Sequence, residues 1–97
     1  MPRQLMAALT SIGAVSDMQN FLRDLMTEKE IIEMSARFEA ARMLQSGKKY
    51  TEITKSTKLS SRTVARISGW LKNGEGGYEK TINNIKGHHS HTSPGRD

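Results

Sequence analysis

Apolar positions along the chain recur at three- and four-residue intervals, the spacing that lines one face of a helix, and strand-like alternation is almost absent. Leu5, Leu9 and Ile12 predict a first helix over about Pro2 to Ile12, with proline at a tolerated starting position and Gly13 as the end. A second helix carries Met18, Phe21, Leu22 and Leu25, takes Ser16 as its N-cap and stops near Met26. The segment "TEKE" predicts a capping box, in which the Thr27 hydroxyl and the Glu30 carboxylate each satisfy an orphan backbone donor of a third helix.

That third helix is expected from Glu28 to about Ser46, with Gly47 as its C-terminal stop. Ile31, Met34, Phe38 and Ala41 form one apolar stripe on it, and Ile32, Ala36, Ala40 and Met43 form a second. Two stripes need cover on two sides. A fold of 97 residues removes only about two-thirds of its unfolded surface from water, so a single chain supplies that cover with difficulty. The pattern fits a helix at the centre of a dimer whose subunits interleave.

The next segment, "KKYTEITKSTKLSSRTVARISGWLKNG", predicts a helix over about Tyr50 to Thr57 burying Ile53. A second helix from Ser61 to Asn73 would bury Val64, Ile67 and Leu71 and end at Gly74. The tight turn around Lys58 to Ser60 gives this pair helix-turn-helix spacing, in which the first helix braces the second against a major groove. Ser60 or Ser61 is the N-cap, and the free donors and positive dipole end beside it suit a phosphate. Arg62 and Arg66 lie one turn apart on the outer face, and Thr63 and Ala65 offer a hydroxyl and a small methyl to base edges. Lys48, Lys49, Lys55, Lys58 and Lys72 are then candidate phosphate contacts. The same pattern also suits an ordinary helical hairpin with a solvated basic face.

Charge tilts that choice. Fifteen Lys and Arg against ten Asp and Glu give a formal charge of +5, a balance that favours polyanionic partners. From Asp17 to Glu39 there are six acidic and three basic residues, whereas Arg42 to Lys72 holds eight basic residues and only Glu52 on the acidic side. The positive charge is concentrated where the helix pair lies.

The segment "DLMTEKEIIEMSARFEAARMLQSGKKYTEITKSTKLSSRTVARISGWLKNGEGGYEKTI" resembles the Trp repressor superfamily, most closely its TrpR-like YerC/YecD branch. The resemblance runs from about Ser16 to Ile85, and "ARFEAARML", "TVARI" and "NGEGGYE" are its most specific pieces. It implies an all-α, six-helix subunit and an intertwined homodimer that presents two helix-turn-helix units to a palindromic operator on double-stranded DNA. Tyr78, Ile82 and Ile85 would then lie on a sixth helix packing across the dimer.

In tryptophan-responsive members an indole is held between two arginines, and Arg37 and Arg66 match that pair, while Thr27 matches a ligand-contacting threonine. Ile67 stands where those members have glycine and Trp70 where they have serine. A close-packed pocket registers even one added methylene, so the expectation is that tryptophan does not bind in that manner. Ile67 or Trp70 would instead occupy the missing ligand's volume and leave the recognition helix permanently placed. A small-molecule effector other than tryptophan is left open.

The remaining chemistry is sparse. The chain has no cysteine, which excludes disulfides, thiolate nucleophiles and cysteine-type zinc sites. His88, His89 and His91 fall in "GHHSHTSPGRD", expected from residue 87 to 97 as a disordered polar tail after a single domain over 1–86. The six methionines read as core filler, and "GEGG" reads as a hinge between helices. With no nucleophile–base pair, no carboxylate dyad and no cofactor motif, no enzyme is expected. Without a spanning apolar run or a credible signal peptide, the expected location is the cytoplasm. Two functions remain: a sequence-specific DNA-binding transcription regulator, expected to be a repressor, and a dimeric helical adaptor that contacts an acidic protein instead.

Overall fold

A computed structural model describes residues 2–92, with the backbone alone for 87–92. Its described residues form six helices and no strand: α1 (Arg3–Ser11), α2 (Val15–Leu25), α3 (Glu28–Gln45), α4 (Tyr50–Thr57), α5 (Ser61–Asn73) and α6 (Gly77–Thr92). The chain divides into two compact units, Met1–Met34 and Ser35–Asp97, and α3 contributes residues to both.

In the first unit, α1 starts from Pro2 as its N-cap and closes with the Ile12 N–H donating to the Leu9 carbonyl. Helix α2 begins two residues earlier than expected. Its N-cap is Ala14, not Ser16, and Ser16 lies inside the first turn beside Asp17, whose carboxylate favours the positive end of the helix. The expected capping box at the start of α3 is present. The Thr27 N–H donates to Glu30 Oε1 over 2.9 Å, and the Glu30 N–H donates to Thr27 Oγ1 over 3.1 Å. Neither α1 nor α2 buries a residue, although Met18, Phe21 and Leu22 are half-buried.

The second unit holds the core. Ala40 and Ala41 of α3, Ile53 of α4, Val64 and Ile67 of α5 and Ile82 of α6 form one buried cluster, flanked by Phe38, Met43, Leu44, Leu59, Leu71 and Tyr78. The two alanines let neighbouring helices approach α3 closely. Of the two α3 stripes, the C-terminal parts are therefore covered within one chain, while Ile32 remains 61% exposed and Met34 45%.

Helix α3 stops in a Schellman motif. The Lys48 N–H donates to the Met43 carbonyl over 2.9 Å and the Gly47 N–H to the Leu44 carbonyl over 3.0 Å, with Gly47 at φ +88°. Helix α5 is closed by Gly74, whose N–H donates to the Trp70 carbonyl and whose position takes no side chain, since a Cβ there would sit 2.5 Å from that carbonyl oxygen. The "GEGG" segment connects α5 to α6, whose first turn is closed by the Lys80 N–H donating to the Gly76 carbonyl.

Helix α6 carries Tyr78 half-buried and Ile82 buried within the chain's own core, and Ile85 is about half exposed. Its backbone stays helical to Thr92, whereas an irregular tail was expected from 87. The side chains of His88, His89 and His91 and all of residues 93–97 lie outside the described residues.

Candidate functional site

Helices α4 and α5 pack on one another and are joined by three residues, Lys58 to Ser60. The turn is built from local chemistry. Thr57 Oγ1 donates to the Ile53 carbonyl over 2.7 Å and accepts from the Leu59 N–H over 3.3 Å, so one side chain closes α4 and directs the exit. Lys58 takes a left-handed conformation, φ 65°, with its N–H on the Thr54 carbonyl. Leu59 then turns inward onto the core.

Ser60, not Ser61, is the N-cap of α5. Its Oγ accepts from the Thr63 N–H over 3.1 Å and lies 3.0 Å from Thr63 Oγ1. Ser61 and Arg62 occupy the first two helical positions, whose N–H groups have no acceptor within the helix and form the positive end of its dipole. Both side chains are exposed, as are Ala65 and Arg66, while Thr63 is half-buried beside its cap.

The lysines lie at both ends of the helix pair, Lys55 and Lys58 at the α4–α5 turn and Lys48, Lys49 and Lys72 at the ends of α4 and α5 away from it. Lys49 is the N-cap position of α4, Lys55 lies in its last turn, Lys58 is its C-cap, and Lys72 lies in the last turn of α5. Together with Lys48 they are exposed, and no ion pair engages any of them among the described residues. The side chains expected to meet an anion are thus gathered around one helix pair and are not spent on internal pairing.

The residues matched to a tryptophan pocket fare differently. Ile67 is fully buried in the core, Arg66 and Trp70 lie a turn apart on the outward side of α5, and Trp70 is 46% exposed. Trp70 therefore does not fill a closed volume in the protomer; Ile67 is the residue packed into the interior. Arg37 is half-buried on α3 and already has an interaction partner. Thr27 belongs to the first unit and is engaged in the capping box.

Three side chains were missed by the periodicity argument. Ser68 is 7% exposed and completes the inward face of α5 with Val64, Ile67 and Leu71, while Leu71, expected to be buried, is only half-buried. The offset of four from Val64 was the available signal for Ser68. Gln45 carries a buried Oε1 with no hydrogen-bond partner, and Leu59 packs from inside a turn, where helical spacing gives no signal.

A model of the Trp repressor protein family matches residues 3–86. The chain is 32% identical over 83 residues to the uncharacterised protein YerC of Bacillus subtilis (strain 168), covering 86% of this chain and 80% of that one. Among solved structures it is similar to a TrpR-like protein from Eubacterium eligens ATCC 27750, with TM-score 0.81, 31% identity and 86% of each chain covered. It is also similar to a candidate Trp repressor from Staphylococcus aureus, with TM-score 0.80 and 25% identity over 86% of this chain and 83% of that one. With six helices in the described residues and these matches over most of its length, the chain belongs to the Trp repressor family, in its TrpR-like YerC branch.

Proposed function

We propose that the protein is a sequence-specific DNA-binding transcription regulator, a repressor that acts in the cytoplasm as a homodimer on a palindromic operator. The observation that carries this reading is the set of exposed, unpaired basic side chains along the α4–α5 pair, together with a capped start of α5 that leaves free donors. In the proposed docking, α4 braces α5 and the start of α5 enters the major groove. Arg62 and Arg66 reach guanine edges or flanking phosphates, and Thr63, held by Ser60, sets the depth of approach. Lys49, Lys55, Lys58 and Lys72 neutralise phosphates and fix the register.

The homodimer is supported by surface that one chain leaves open. Val15 is 76% exposed, and Leu25, Ile32 and Met34 add further apolar area on helices that bury almost nothing. A second copy laid over these faces would supply the cover that the two-striped α3 calls for.

Tryptophan is not the effector in this reading. Ile67, buried in the core, stands where the tryptophan-responsive members have glycine and so takes up space that their ligand uses, and a ligand shifts an equilibrium only through differential affinity for its states. Calorimetry with millimolar L-tryptophan should give no saturable heat; a saturable isotherm contradicts this part of the proposal.

The DNA reading is tested by fluorescence anisotropy of labelled duplex against salt. Each neutralised phosphate contributes a log–log slope of about −0.9, so eight lysines in a dimer give about −7. A slope near zero, or equal binding to an acidic polypeptide, would favour the protein-adaptor alternative.

A further inference from the structure

A cleft of about 410 Å³ opens in the second unit between the end of α3, the start of α4, the buried side of α5 and the first turns of α6. It is separate from the Arg37, Arg66, Ile67 and Trp70 positions and includes none of them. Its polar lining is Gln45, Lys48, Tyr50, Ser68, Lys72 and Glu79, and a volume of this order suits a small molecule.

Two features of the lining stand out. Gln45 Oε1 is buried with no hydrogen-bond partner, and a buried acceptor left unsatisfied carries its full desolvation cost. Lys48, Lys72 and Glu79 bring two positive charges and one negative charge to the same cleft, yet among the described residues none of the three is in an ion pair. Opposite charges held around one cavity without neutralising each other complement a molecule that itself carries both signs.

From this arrangement we infer that the cleft binds a small ammonium carboxylate. The lysines take its carboxylate, Glu79 takes its ammonium, and an N–H of the ligand donates to Gln45 Oε1, with Ser68 as a further hydrogen-bonding group. The ligand's chain lies against Leu44 and Leu71, the apolar part of the lining. Lys72 is shared with the proposed phosphate contacts, so the cleft is tested in the absence of DNA.

The test is a ¹⁵N NMR titration of the full chain with four probes at millimolar concentration: glycine, 4-aminobutanoate, L-glutamine and L-lysine. Acetate and ethylammonium serve as single-charge controls. At least one probe should give saturable shifts at Gln45, Ser68, Lys72 and Glu79, and neither control should saturate. Gln45→Leu should weaken that binding about tenfold or more while raising the thermal midpoint of the free protein, because it removes an unsatisfied acceptor. Glu79→Gln, on an exposed residue in the first turn of α6, should weaken binding of the same probe and lower the midpoint only slightly, through the lost helix-dipole interaction. The inference is overturned if no probe saturates, if acetate binds as well as the probes, if the shifts map to Arg37 and Arg66, or if both variants bind as the wild type does.

Discussion

At the scale of single residues, the α4–α5 turn combines positions that serve stability with one that opposes it. Ser60→Ala removes the acceptor of the Thr63 N–H and should cost about 1 kcal/mol in urea unfolding, whereas Ser60→Gly should cost only a few tenths. Lys58 is the one non-glycine residue at positive φ among the described residues. A left-handed backbone costs an L-residue about 1–2 kcal/mol, and glycine avoids this at some cost in chain entropy, so Lys58→Gly should stabilise by about 0.5–1 kcal/mol. If Lys58 meets a phosphate, the same variant should bind duplex more weakly with a shallower salt slope. A stabilised protein with unchanged DNA affinity would remove Lys58 from the interface.

At the scale of helices, α5 has two faces with different tolerances. Ile67→Ala opens a cavity in the cluster shared with Ile53 and Ile82 and should cost about 2–5 kcal/mol by denaturant titration. Trp70→Ala, at a half-exposed position, should cost far less in the isolated chain. Most helix bounds were legible from the sequence because caps are local signals: Thr27 with Glu30, Ser60 beside Ser61, and Gly47 each act within a few residues. The start of α2 was misread because Ser16 looks like a cap but no side chain caps that helix. The burial of Ser68 was legible from its four-residue offset from Val64, but the half-exposures of Leu71 and Trp70 were not. They depend on how α5 is rotated against α3, α4 and α6, which the period of one helix does not specify. The basic character of the α4–α5 pair was legible as charge, but that its lysines stay unpaired depends on where every carboxylate comes to lie.

At the scale of the whole molecule, one chain covers the core of its second unit and leaves the apolar faces of α1, α2 and the first half of α3 without a buried residue. Light scattering should return twice the 10.8 kDa of one chain, and the thermal midpoint should rise with protein concentration, since association stabilises by mass action. A monomeric mass with a concentration-independent midpoint would contradict the homodimer. Two α5 helices held by such a dimer would read half-sites about one helical turn of DNA apart, roughly 34 Å. Selection from randomised duplexes with the purified protein tests whether α5 reads sequence. The wild type should enrich a palindrome and Arg62→Ala should lose or relax that preference; no enriched palindrome, with Arg62→Ala binding like the wild type, would mean that α5 reads no operator.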